Sequence, residues 1–463
     1  MEQRNVVSEV VTKDLCIGCG VCAGICPAKN LQMGWNEFGE YNPQENGTCL
    51  ENCSLCLEVC PFAKSNKNED ELGKMLFGAI PGIKHTKETG YYLSSFVGFS
   101  RNRDIGASGG IASFLLEELL DKGLVDRVIS VAPTGDSGTL FKFKVIDDPE
   151  EVRQTAGSAY YPAHLSDVLG YIKENPGRYA VTALPCLAKA LRLAAERQPL
   201  LQERIRFILG LVCGQLKSSF YTRYISHLAG VDEPIRKCYY RTKEPDQPAS
   251  NYTFTCEGVS GKAGRIRWNE GVSRVWTSRC FTPIACKFCD DVFAEVADVV
   301  FMDAWLPEYS KDPEGNSLVI VRNPEILSLL EETIGEGASL EHISIEDIIR
   351  SQSGVVRIKR QDLAYRLQKA LTQKKKLPNK RVEPSRLTMA PFRRIEIDIL
   401  DRIQHATRNS VLEVEGGGVY IGNIQESLEP DLSSLKHIRW GISLWKLPFR
   451  ITRKIYRKIK GTR

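Results

Sequence analysis

No stretch of this 463-residue chain is continuously apolar over the length a membrane-spanning helix needs. Its first residues, MEQRNVVSEVVTKD, hold no apolar segment of the kind that directs export. The six histidines form no cluster, and no G-x-G-x-x-G follows an apolar run, which leaves a Rossmann-type NAD site unsupported. These absences lead to the expectation of a cytoplasmic protein without a nicotinamide fold. What remains is an ordinary soluble composition, 42% hydrophobic and 26% charged, long enough to bury full cores in two or three domains.

Cysteine is the exception. Fifteen of them in a chain with no export signal imply a reducing compartment in which thiolates are kept for metals. Cys16, Cys19, Cys22 and Cys26, followed by Pro27, form a C-x2-C-x2-C-x3-C-P run. A looser copy follows at Cys49, Cys53, Cys56 and Cys60, closed by Pro61, with three residues rather than two between its first pair. Zinc ribbons separate two cysteine pairs by a longer loop, and disulfide frameworks belong to short secreted chains. Two successive runs ending in Cys-Pro fit a pair of [4Fe-4S] clusters, in which the fourth cysteine of each run crosses to the other cluster. The expected sets are Cys16, Cys19, Cys22 and Cys60, and Cys49, Cys53, Cys56 and Cys26.

The cysteine runs occupy a ferredoxin-type module over residues 1–65, and SNKNEDELGK after it reads as a linker or exposed connection. Near Ser95 a new block begins: a loop, a glycine turn at Ser108, Gly109 and Gly110, a helix with Ile111, Leu115 and Leu119 on one face, and a strand over 128–132. A βαβ unit follows, with a strand over 179–183, a helix over 187–197 and a strand over 206–212. Cys186 and Cys213 then stand after parallel strands on one sheet edge, where open α/β folds bind their ligands. Cys286 and Cys289 form a C-x2-C before strands over 298–303 and 317–322. Together these four suggest a third cluster; a small buried hydrophobe would explain Cys186 and Cys213 adequately, but the Cys286 and Cys289 pair less well. Cys280 is an alternative ligand; Cys238 and Cys256 read as core or surface thiols.

Taken in order, ASGG at Ala107 to Gly110, GSAYYP at Gly157 to Pro162, TALPC at Thr182 to Cys186, CKFC at Cys286 to Cys289, AEVADVVFMDAW at Ala294 to Trp305 and GNSLVIVRN at Gly315 to Asn323 resemble the coenzyme F420 hydrogenase/dehydrogenase beta-subunit family. The resemblance covers roughly residues 5 to 325. It implies an α/β domain over 90–325 with a mixed sheet, holding FAD and one [4Fe-4S] cluster, behind the ferredoxin-like module. Two positions depart from the family's habit: Ala159 where a Lys is common, and Met302 where a Gly often precedes the aspartate.

A flavin would join two-electron hydride chemistry to one-electron cluster chemistry. On the resemblance, Ser108, Gly109 and Gly110 would hold its phosphates at a helix start, Thr182 and Pro185 would approach its ring near Cys186, and Asp303 would make a ribityl or substrate hydrogen bond. Trp305 reads as core. No catalytic residue is assigned.

Residues 326–463 form a helical extension in which KKKLPNKRVEPSR reads as a charged linker. From Lys436 onward there are ten Lys or Arg and no acid, so with the whole chain at +5 the rest carries −5. Trp440, Leu444 and Leu447, then Ile451, Ile455 and Ile459, make a basic amphipathic tail suited either to the cytoplasmic face of a membrane or to packing on protein. Nucleic acid is not an expected partner, because no recognition module accompanies the charge. The leading expectation is an iron–sulfur flavoprotein oxidoreductase working with ferredoxin, a redox partner subunit or a deazaflavin coenzyme. The alternatives are an electron-transfer subunit without its own substrate and an accessory protein of polysaccharide biosynthesis.

Overall fold

The computed structural model describes residues 4–387, 389–410 and 421–445. Fifteen strands run through them: β1 (Leu31–Trp35), β2 (Tyr41–Glu45), β3 (Lys84–Thr86), β4 (Gly90–Tyr92), β5 (Ser94–Ser100), β6 (Arg127–Asp136), β7 (Thr139–Ile146), β8 (Tyr179–Ala183), β9 (Ile205–Leu211), β10 (Ile235–Thr242), β11 (Thr253–Gly258), β12 (Ala263–Arg267), β13 (Val299–Asp303), β14 (Ser317–Val321) and β15 (Ala338–His342). Eight of them make one mixed sheet in the order β15-β5-β14-β13-β9-β8-β6-β7. Its centre, β6, β8, β9 and β13, is parallel. The sequence explains this: all five residues of β8 and of β14 are buried, the continuous apolar pattern of strands covered on both faces.

The βαβ expectation holds, with the helix Pro185–Arg197 between β8 and β9. The helix Ile111–Asp121 turns Ile111, Leu115 and Leu119 fully inward and ends before Gly123, whose φ of +62° suits the residue past a helix end. A separate antiparallel sheet, β10–β11–β12, roofs one side of the body.

The cysteine-rich amino-terminal module packs directly onto the body. Val21, Ile25, Val59 and Phe62 share one core with Leu169, Ile172 and Ala188 of the body. The Leu165 amide donates to the Cys19 carbonyl at 2.8 Å, and Lys173 Nζ to the Gly24 carbonyl at 2.6 Å.

Three segments differ from expectation. Residues 65–74 are no linker: Asn68 and Glu71 cap each other, and the helix Glu69–Phe77 buries Leu72. The extension is not wholly helical, since β15 forms the edge of the large sheet beyond the expected boundary at 325. KKKLPNKRVEPSR runs across the body as a strap, with the Lys380 and Arg381 side chains only 4% and 6% exposed. The long helices Pro391–Asn409 and Ile421–Trp445 follow. Among the described residues no helix is long and apolar enough to cross a membrane. Trp440 is exposed, whereas the rest of the expected amphipathic tail, from Lys446 onward, lies outside the described residues.

Candidate functional site

The twelve predicted cysteines gather in three quartets. Cys60 lies within electrostatic reach of Cys16, Cys19 and Cys22, and Cys49 of Cys26, Cys53 and Cys56. This is the crossed arrangement. Cys56 also acts on Cys22 and Cys60, so the two quartets are neighbours. In the third set, Cys186 stands in the first turn of its helix and Cys213 just past β9. Cys286 and Cys289 flank one end of the turn Ile284–Phe288, and all four act on one another. Cys280 is buried outside the set, and Cys238 and Cys256 face each other directly across β10 and β11.

Burial governs these thiols. It pushes Cys19 up to about 11 and Cys60 and Cys213 to about 12, and it lifts Cys22 and Cys186 well above the ordinary thiol value. A thiolate at such a place needs compensating positive charge, which bound iron supplies. Among the described residues no group of three or more His, Cys, Asp or Glu is set to hold a single metal ion. Zinc–sulfur bonds of about 2.3 Å would draw thiols closer together than a four-iron body does.

A cavity of about 570 Å³ opens at the carboxyl ends of β8, β9 and β13, the edge where open α/β sheets bind ligands. Cys16 of the first quartet and Cys213 of the third both border it. Ser108 and Gly110 form one wall with Ile111, Ala112 and Ser113 of the following helix, whose start has no side-chain cap. Its free amides therefore face the cavity. Ser108 Oγ itself donates to the Asn316 carbonyl at 3.0 Å.

Another wall is aromatic, with Tyr160 and Trp276 4.7 Å apart and Tyr252 and Trp268 5.1 Å apart between ring centres. Arg241 comes from β10, donates to Asp303 Oδ2 at 2.8 Å, and leaves its buried Nε unpartnered. Lys217 is buried at the cavity edge, where burial lowers it to about 7. Glu40, from the β1–β2 hairpin, is raised by burial to about 7.

The other expected residues sort as follows. Thr182 and Asp303 line the cavity, Asp303 already paired; Thr182 Oγ1 donates to the Ile129 carbonyl at 3.2 Å. Gly109 and Pro185 stand behind the wall, Gly109 against β5 and β14 and Pro185 at the first position of its helix. Trp305 is not core but half-exposed at the cavity. Ala159 and Met302, the two departures, also line it. Sequence reasoning missed Glu40, Lys217 and Arg241. Lone charged residues carry no motif, and Arg241 shares its strand with the exposed Arg236 and Lys237, which hide it.

Three regions match known family models. Residues 9–32 match the 4Fe-4S binding domain. Residues 95–170 match the amino-terminal part, and residues 177–347 the carboxyl-terminal part, of the coenzyme F420 hydrogenase/dehydrogenase beta subunit. The chain is 25% identical over 215 residues to one of the subunits of the F(420)H(2) dehydrogenase from Methanosarcina mazei, covering 45% of this chain and 55% of that protein. It is 24% identical over 357 residues to the coenzyme F420-dependent sulfite reductase of Methanocaldococcus jannaschii, covering 73% and 49%. The chain thus spans about half the length of each. A chain in a xenon-derivatised F420-reducing [NiFe] hydrogenase complex from Methanosarcina barkeri superposes with a TM-score of 0.47 at 17% identity, over 64% of this chain and 99% of that one.

Proposed function

Because this chain belongs to the coenzyme F420 hydrogenase/dehydrogenase beta-subunit family, we propose that it is an iron–sulfur flavoprotein oxidoreductase. It relays electrons between a one-electron carrier and a hydride-accepting coenzyme or organic substrate. The observation that carries this reading is that two thiol quartets, one from the amino-terminal module and one from the body, border the same cavity.

The residues present fit the groups. The uncapped helix start at Ile111 and the unpartnered Nε of Arg241 suit the phosphates and polar edges of an FAD. The aromatic wall of Tyr160, Trp268 and Trp276 suits its flat ring. Bound there, a flavin supplies the exchange of one hydride for two single electrons, which [4Fe-4S] clusters in the quartets carry one at a time. The protein's own part is to exclude water with the aromatic wall, to fix the Asp303 side chain in place against Arg241, and to offer a proton on the Glu40 carboxyl near neutral pH.

The second quartet favours docking of a partner. Cys49 and Cys53 flank Leu50, which is 51% exposed, in a loop at the molecular surface. A ferredoxin or redox subunit would exchange electrons there. The relatives' names make a reduced deazaflavin the first hydride partner to try.

Anaerobic reconstitution tests the reading. About twelve irons and one FAD per chain are expected; saturation near eight irons removes the third cluster, and a flavin-free holoprotein removes the flavin site. Titration with reduced deazaflavin, NADH and ferredoxin then names the donor. Bleaching by a small donor without any partner marks an enzyme, and bleaching only in a complex marks an electron-transfer subunit.

A further inference from the structure

One buried cation at the third quartet is committed to sulfur. Lys359 is 4% exposed, and its Nζ lies 3.0 Å from Cys289 Sγ and 2.7 Å from the Asp291 carbonyl oxygen. Among the described residues no carboxylate is in ion-pair contact with it. Its neighbours are otherwise engaged: Lys380 pairs with Asp290 at 3.0 Å and Arg360 with Glu295 at 3.0 Å. Lys359 is set by a turn of π-helix, Ile358–Asp362, a distortion that widens the backbone and recurs at functional positions. The turn lies beyond residue 347, where the family match ends.

Leu216 gives Cys286 a backbone amide at 3.4 Å as well, but among the described residues the N-terminal quartets have no charged donor on sulfur. Hydrogen bonds to their thiols come from backbone amides: Gly18 to Cys16 at 3.4 Å, Val21 to Cys19, and Phe62 and Ala63 to Cys60.

We propose that Lys359 makes the third cluster the most oxidising of the three, and so the point at which electrons collect inside the molecule. This rests on the cluster reading above. An added electron makes a cluster more negative, and its potential follows net charge and the hydrogen bonds to its sulfurs. A charged donor on sulfur at low dielectric stabilises the reduced form more than a backbone amide does. The tuning charge comes from the extension rather than from the shared family region, so relatives lacking it would run the same cluster at lower potential.

Redox titration followed by electron paramagnetic resonance on the reconstituted full chain decides the matter. Cys186→Ala identifies which transition belongs to the third cluster. In Lys359→Met, with the wild-type iron content, that transition moves to lower potential by at least tenfold in the reduction equilibrium, about 59 mV for one electron. The other two transitions stay, and Lys359→Arg stays near wild type. A third transition unmoved in a fully loaded Lys359→Met overturns the proposal. If that variant loses iron, Lys359→Gln, which keeps a neutral donor, reads the same potential; iron loss in both neutral variants assigns Lys359 to holding the site and overturns its tuning role. A wild-type chain that saturates near eight irons fails earlier, at the existence of the cluster.

Discussion

Glu40 shows how one side chain couples the cavity to pH. Its carboxyl is buried beneath the β1–β2 hairpin, with Arg408 3.9 Å away, too far for a hydrogen bond. That guanidinium is held at 2.7 Å by Asp14 and lies 3.6 Å above the Phe38 ring. Asn36, Asp14 and Cys16 are the other groups facing it. Burial therefore prevails, and the folded protein binds this proton more tightly than the unfolded chain does, about 7 against 4.5. The contribution is fully present below 4.5 and is lost as pH rises through 7, a fall of about 3 kcal/mol at 1.36 kcal/mol per unit. An anionic cluster held by Cys16 would strengthen the effect. Denaturant titrations should show Glu40→Gln gaining on wild type between pH 5 and pH 8, and parallel curves would remove the assignment. The cysteines were legible in the sequence because thiol spacing encodes its own geometry. Glu40, Lys217, Arg241 and Lys359 were not, because a single charged residue acquires meaning only from what the fold buries around it.

Among the elements, the glycine turn before the helix Ile111–Asp121 is tightly constrained. Gly110 has φ +76°, and a Cβ on Gly109 would stand 2.6 Å from both the Gly98 carbonyl oxygen and the Ser317 amide nitrogen. Both are backbone atoms of β5 and β14, so the sheet itself would have to move. Gly109→Ala should lower stability by more than about 1 kcal/mol and strip flavin from the holoprotein on gel filtration. Gly170→Ala, in a helix with open space around it, should do neither. An equal loss in both variants would sink this reading of the turn. The βαβ unit and this turn were readable from apolar runs and glycine placement. The helix Glu69–Phe77 was not, since its polar composition masked the Asn68–Glu71 cap, and β15 was hidden in a stretch whose helical neighbours set the pattern.

For the whole molecule, the strap decides whether module and body behave as one. Asn379 Nδ2 donates to the Asn66 carbonyl, Asn66 Nδ2 to the Cys60 carbonyl at 2.7 Å, and Lys380 lies 4.9 Å above the Phe62 ring. Arg381 joins Asp70 beside the module to Glu295 in the body, with Asp290 3.6 Å away. Removing one partner from so buried a network leaves charge uncompensated, at about 3–5 kcal/mol. Arg381→Ala should therefore lower the melting temperature of module and body together, seen as simultaneous loss of cluster absorbance and of helical circular dichroism. Separation into two transitions would show that the strap fastens only one of them. A run of lysines and prolines gave no hint of this, because its charges find their partners 86 to 311 residues away in sequence.

The third quartet also has a history along the growing chain. The two N-terminal quartets have all their thiols once Cys60 has left the ribosome, whereas Cys186 and Cys213 must wait for Cys289, about 100 residues after Cys186, or roughly 5–20 s at ordinary rates of synthesis. Lys359 and the strap arrive later still. Iron delivered during synthesis would thus meet two finished sets of thiols and one unfinished set on the same nascent protein, and the set bordering the cavity from the body side is the last to be completed.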